Sequence, residues 1–181
     1  GSGWYLLLML ASAIVSSSAQ LAFSDTTGIG ASGVVYAIFG FMLLTRRRYP
    51  EFLVILHGKT IQMFLIWLVA CFAISYMGIW PIGNAAHLSG LIFGVLASLP
   101  VMAGMRALAA VPACAVLLAT ATLAWSPWSP TWLMVKAAEA EKNQEYALAI
   151  DYYSRVIEKN PNHVQALVRR AGVHRKMENN E

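Results

Sequence analysis

Charge is what this 181-residue sequence has least of: 12% of its residues are Asp, Glu, Lys or Arg, against 58% that are apolar. Soluble domains carry about twice that share of charge, so an ordinary soluble domain is excluded and a bilayer protein is expected. The deficit is uneven. Residues 1–135 hold only Asp25, Arg46, Arg47, Arg48, Glu51, Lys59 and Arg106, and every other charged residue follows position 135. The net charge of +4 is spread over loops and tail, not gathered in one patch, and gives no reason to expect nucleic acid as a partner. Cysteine is equally scarce. Cys71 and Cys114 both sit inside long apolar runs, where cysteine behaves as a small hydrophobe, which excludes a disulfide framework and a thiolate metal site. Neither H-E-x-x-H nor a pair of intramembrane aspartates occurs, so a zinc or aspartyl membrane protease is excluded, and no metal or cofactor is expected.

What is present is a series of charge-free runs to set against the 20 or so residues that a span needs. Residues 4–23 make one span and residues 28–45 a second that closes on Arg46, Arg47 and Arg48. No basic residues precede the first run and no soluble domain follows it, so it is read as a span and not as a signal peptide. From Thr60 to Met105 no charge occurs, and Gly78, Pro81 and Gly83 divide that length into two spans, with Asn84 placed to cap the second. Ala107 to about Trp125 is a fifth span, which Pro112 is expected to bend. The positive-inside rule puts Arg46–Arg48, Lys59 and Arg106 in the cytoplasm, and the pair of spans between them makes the two groups agree. Residues 24–28, 78–83 and everything beyond Trp125 then face outside, with Trp125, Trp128 and Trp132 as an interfacial belt.

With no charge inside the spans, Ser12, Ser16, Ser17, Ser18, Gln20, Ser32, Tyr36, Gln62, Ser75, His87 and Ser89 are the polar side chains left for chemistry. Most serines in apolar helices bond their own backbone. Ser32, in Gly30-Ala31-Ser32-Gly33, and His87, in Ala86-His87-Leu88-Ser89-Gly90, stand apart because both lie near the outer ends of their spans. Gly33, Ala37 and Gly40 share one helical face, and Gly90 and Gly94 form G-x-x-x-G on the other helix, so the two backbones can approach closely. A serine and an imidazole carried on such a contact form a nucleophile and its general base. Tyr36, one turn after Ser32, is placed to pack on the imidazole. Two other matches are discarded: residues 28–33 satisfy G-x-G-x-x-G without a βαβ unit around them, and Val34 removes the second glycine of G-x-S-x-G.

Gly1-Ser2-Gly3 entering a span, Gln20 near its end, G-A-S-G-V-V-Y-A across 30–37 and A-H-L-S-G-L-I-F-G across 86–94 together resemble the rhomboid family of intramembrane serine proteases. The resemblance covers roughly residues 1–103. It implies a serine–histidine dyad, without an acidic third member, that cleaves other membrane proteins in or near their transmembrane segments. Ser32 would be the nucleophile, His87 the base and Tyr36 the aromatic neighbour, with Gly30, Gly33, Gly90 and Gly94 in support and the Ser32 amide in the oxyanion hole. The family's dyad opens to the outer side, in agreement with the charge-derived orientation. The family also carries a histidine and an asparagine on an earlier helix that steady the oxyanion. This sequence begins after that place, so these 181 residues alone are expected to be inactive. The competing reading is a catalytically silent rhomboid-like scaffold.

The expected fold class is therefore all-α: a polytopic, rhomboid-like helical bundle with five spans, then a soluble helical repeat. Its parts are a partial protease domain at 1–103, an added span and interfacial linker at 104–130, and repeats at 131–181. The tail rests on Tyr146, Ala149, Tyr153 and Pro161, whose spacing resembles the second half of a tetratricopeptide repeat. Residues 133–143 supply a weaker first helix, Asn160-Pro161-Asn162 a break, and Val164 onward the next helix. Such repeats hold peptides or partner proteins, and His163 and His174 read as solvated helix residues. Expected partners are transmembrane protein substrates, the lipid bilayer and a protein or peptide on the tail. The expected location is a bacterial inner or plasma membrane, with the tail extracytoplasmic.

Overall fold

The computed structural model describes residues 2–24 and 30–178. Gly1, residues 25–27 of the loop expected to face outside, and Gly28 and Ile29 at the expected start of the second span lie outside the described residues. Among those described, all regular structure is helical: α1 (Ser2–Phe23), α2 (Ser32–Thr45), α3 (Glu51–Ile55), α4 (Gly58–Tyr76), α5 (Asn84–Ala103), a 3-10 turn (Arg106–Ala109), α6 (Ala110–Ala124), α7 (Pro130–Lys142), α8 (Tyr146–Lys159) and α9 (Val164–Glu178).

Four stretches, Ser2–Phe23, Gly58–Tyr76, Asn84–Ala103 and Arg106–Ala124, are long and apolar enough to cross a membrane. The fifth expected span is met differently. α2 has 14 residues, about 21 Å at 1.5 Å per residue, short of the roughly 30 Å hydrocarbon core. Pro112, expected to bend its span, stands in the first turn of α6, where a missing N–H removes no helical bond. Asn84, expected as a cap, is instead the first residue of α5, and Gly83 holds the cap position without a side-chain bond.

The chain forms two compact units, the first comprising residues 1–21 and 26–124. At its centre α2 and α5 touch backbone to backbone. A Cβ added at Gly90 would meet the Gly33 carbonyl, one at Gly94 the Ala37 carbonyl, and one at Gly40 would stand 2.6 Å from the Leu91 carbonyl oxygen. Contacts that advance along both helices in the same direction make them parallel. Their N-termini therefore share one end of the unit, while Arg46–Arg48, after α2, and Arg106, after α5, share the other. Two apolar clusters flank this pair. Val15, Ala37 and Phe93 are buried with Ala115, Val116 and Ala119 of α6 against them. Tyr36, Phe39 and Leu56 are buried with Phe64 and Leu68 of α4, and the Phe39 and Phe64 rings stack at 4.5 Å. α1 contributes a polar stripe: Ser12, Ser16 and Gln20, at i, i+4 and i+8, are all buried.

The second unit comprises residues 22–25 and 125–181. Ser129 caps α7 by accepting the Trp132 N–H at 3.2 Å, and Pro130 follows at the first helical position. α7 starts three residues before the expected 133. Leu133, Ala137, Ala140, Ala149, Tyr153, Val156, Ala166 and Val173 form the core of three successive helices. His163 is not a solvated helix residue. Its Nδ1 accepts the Ala166 N–H at 3.2 Å and so caps α9. Glu141, with a side chain 12% exposed, ties the helices together. It accepts from Lys176 Nζ at 2.7 Å and from the Tyr153 hydroxyl at 3.1 Å, and Arg169 lies 3.7 Å away.

Two predictions follow from this packing. Gly94→Ala is expected to destabilise the protein in detergent by about 1–3 kcal/mol or more, since the clash is with backbone, whereas Gly172→Ala, where an added Cβ meets nothing within 4 Å, is neutral or stabilising by up to about 1 kcal/mol. Unfolding midpoints of the two variants measure the difference, and equal midpoints would refute the close contact. The second concerns pH. The Lys176 hydrogen bond, aided by Tyr153, holds the Glu141 carboxyl below its ordinary value of 4.5. The folded tail thus binds that proton more weakly than the unfolded chain. The resulting stabilisation is complete above about pH 4.5 and fades as the pH falls through the lowered value. Amide exchange in α7–α9, corrected for intrinsic rates, is expected to lose protection on acidification, with a weaker loss in Glu141→Gln.

Candidate active site

The site is built at the shared N-terminal end of α2 and α5. Gly30 enters it with φ +153°, in the range that side chains disfavour, although a Cβ there would meet nothing within 4 Å, so conformation and not space selects glycine. Ser32 is the first residue of α2 and is exposed; His87, in the first turn of α5, is 4% exposed. Because Gly33 admits the α5 backbone, with Ala86 O 3.0 Å from where its Cβ would be, the two side chains reach each other. His87 Nε2 and Ser32 Oγ are 2.8 Å apart.

The imidazole is held by an aromatic ring. The Tyr36 and His87 rings are 5.0 Å apart and tilted by 40°. Tyr36 is itself fixed, since its hydroxyl donates to the Phe64 carbonyl of α4 at 3.1 Å and its ring meets Phe64 edge-on at 5.7 Å. Among the described residues, His87 Nδ1 is buried with no hydrogen-bond partner. For Nε2 to accept a proton from Ser32, the neutral ring must carry its hydrogen on Nδ1, and the neighbour that fixes the ring's orientation is the tilted Tyr36 ring.

Gln20 was named from the sequence, but its role was not foreseen. Gln20 Oε1 accepts the Ala86 N–H at 3.1 Å, so a side chain of α1 caps the first turn of α5 directly beside His87. Asn84, assigned that task from the sequence, leaves its Oδ1 buried and without a partner among the described residues. The recoverable signal was the Ser12, Ser16, Gln20 stripe, which places Gln20 on the same buried face as Ser16. Ser16 in turn packs on Gly33, with its Cβ 2.5 Å from where a Gly33 Cβ would stand.

A cleft of about 210 Å³ opens beside the pair, lined by Gly30, Ser32, Pro81, Ile82, Gly83, Ala86 and His87. The first-turn amides of a helix lack intrahelical acceptors and face the positive end of its dipole, so the start of α2 suits a developing oxyanion. Of the expected site residues, Ser32 and Tyr36 each meet His87, Gly30 lines the cleft, and Gly33, Gly90 and Gly94 form the helix contact beneath.

A family model described as Rhomboid domain matches residues 1–104. The chain is 42% identical over 96 residues to a rhomboid protease GlpG of Yersinia enterocolitica (serotype O:8 / biotype 1B), covering 53% of this chain and 34% of that protein. It is 40% identical, with the same coverage, to the rhomboid protease GlpG of Yersinia pseudotuberculosis serotype I. The chain thus spans about a third of the length of these curated relatives. No solved structure matches it.

Proposed function

Because the chain belongs to the rhomboid family, with more than half its length matched, we propose that it carries the dyad of an intramembrane serine endopeptidase, with Ser32 as nucleophile and His87 as general base and acid. The observation that supports this most directly is the 2.8 Å separation of His87 Nε2 and Ser32 Oγ. Nε2 takes the serine proton as Oγ attacks the carbonyl carbon of the scissile peptide. The charge on the resulting oxyanion is met by the Ser32 amide at the start of α2. The protonated imidazole then gives its proton to the leaving amine, and the acyl group remains as an ester on Oγ. In the second half a water loses a proton to Nε2 and attacks that ester, and the proton returns to Oγ. Tyr36 keeps the imidazole aligned throughout. Substrates are other membrane proteins, which present an unwound segment to the cleft.

The protein is a multi-pass membrane protein, and we propose in addition that α2 is a fifth membrane-embedded helix beside the four longer ones. The orientation supported by Arg46–Arg48, Lys59 and Arg106 opens the cleft to the extracytoplasmic side and places the 131–178 helices there. That tail serves as a tetratricopeptide-type module for a protein or peptide partner, a reading supported by its α7–α8–α9 succession and small-residue core.

A protein containing this chain is expected to label covalently with a fluorophosphonate, and Ser32→Ala and His87→Ala to label at least about 100-fold more slowly. Labelling that survives Ser32→Ala would remove the serine from the mechanism. For orientation, single cysteines introduced at exposed tail positions such as Gln144 are expected to react with an impermeant thiol reagent from outside intact cells. Reaction only after permeabilisation would invert the topology.

A further inference from the structure

We propose that the connection between α2 and α4, residues 46–59, is a binding site for the headgroups of anionic phospholipids. The connection lies at the end of the parallel α2–α5 pair opposite the cleft. It carries four cations, Arg46, Arg47, Arg48 and Lys59, against the single acid Glu51. Arg47, Arg48 and Lys59 are exposed, and among the described residues none of the four takes part in an ion pair. Turn bonds from the Arg48 and Tyr49 N–H groups to the Thr45 carbonyl, at 2.8 and 3.0 Å, wrap the arginines around the end of α2.

Between the cations stands an apolar ridge. α3 is five residues long, and its Leu53, Val54 and Ile55 are 48%, 81% and 58% exposed. Leu56, 4% exposed, packs with Tyr36 and Phe39 and pins the ridge to the bundle. Met77, Ile79 and Trp80 are also exposed between span ends, after α4, but residues 77–83 carry no basic side chain; the 53–55 ridge stands between clustered cations, a pairing that suits the depth where tails meet headgroups. Lys59 adds an independent argument. It is the second residue of α4, whose first turn holds no acid, so a cation sits at the positive end of a helix dipole, an unfavourable position that an anion held nearby would reverse. Apolar insertion together with clustered basic residues is the chemistry of an anionic bilayer surface.

The test is retention of lipid on the purified protein. The full chain in detergent is titrated with phosphatidylglycerol or with phosphatidylcholine of the same acyl chains, and bound lipid is counted by native mass spectrometry. Phosphatidylglycerol is expected to be retained about tenfold more strongly, with the preference lost in the combined Arg47→Gln, Arg48→Gln and Lys59→Gln variant. If that variant fails to fold, the wild-type preference is expected to fall as sodium chloride rises. Inorganic phosphate is expected to lower it no further than sodium chloride of equal ionic strength does. Equal retention of the two lipids, which would leave the basic row to an acidic protein segment, overturns the proposal. So does a preference that survives either the triple substitution or high salt, or displacement by inorganic phosphate beyond that caused by sodium chloride of equal ionic strength. None of these readouts depends on protease activity.

Discussion

The backbone contact between α2 and α5 is the constraint on which the first unit depends. In lipid there is little hydrophobic gain from bringing two apolar helices together, so close association requires surfaces that let backbones approach. Gly33 against Gly90 and Ala37 against Gly94 supply that surface. The contact fixes the two helices as parallel, and from this the rest follows. Ser32 and His87 come to one end, the basic connections to the other, and side chains of α1, α4 and α5 cover one face of the short α2. The short length of α2 is compatible with this partial cover, because a helix packed against longer neighbours need not itself match the thickness of the hydrocarbon core.

The same contact explains how Ser32 and His87 are held together without a carboxylate. An ionised acid inside the bilayer is costly, and residues 60–105 contain none. Orientation comes instead from apolar and neutral groups. The Tyr36 ring lies against His87, the Tyr36 hydroxyl is anchored on the Phe64 carbonyl, and Gln20 holds the Ala86 amide. Each draws a different helix to the imidazole: α2 through the ring, α4 through the anchor and α1 through the amide. Four helices therefore converge on one side chain by contacts that need no net charge.

How much of this the sequence carried depends on the range of each interaction. Glycine spacing and charge grouping are local patterns that map directly onto faces and ends, so Gly33, Gly90, Gly94 and the pairing of Ser32 with His87 were legible. Capping was not. Asn84 has a favourable residue type for a helix start, but the acceptor in place is Gln20, 66 positions earlier, and no local rule relates them. His57 and His163 likewise cap α4 and α9 through Nδ1, although histidine is absent from the usual list of N-caps. The length of α2 was overestimated for a related reason. The uncharged residues before Ser32 extended the apolar run, while the helix itself starts only at Ser32, after Gly30 takes a conformation that interrupts helical backbone.

The tail shows the opposite balance of forces. α8 is strongly amphipathic by its pattern: Ala149, Tyr153 and Val156 are buried, and Asp151, Glu158 and Lys159 lie on its outer side. The core there is made of small residues, and Ala137, Ala140, Ala149 and Ala166 let the helices pack closely in water, as the glycines do in lipid. Where the first unit avoids charge, this one uses Glu141 as its clasp, because the carboxylate is half surrounded by its own partners and still reaches solvent through its exposed fraction. A buried, unpaired acid would be costly, so the Tyr153 and Lys176 donors, with Arg169 3.7 Å away, are what make that position tolerable. Close approach through small side chains is thus common to both units, and the surrounding medium decides whether aromatic stacking or ion pairing completes it.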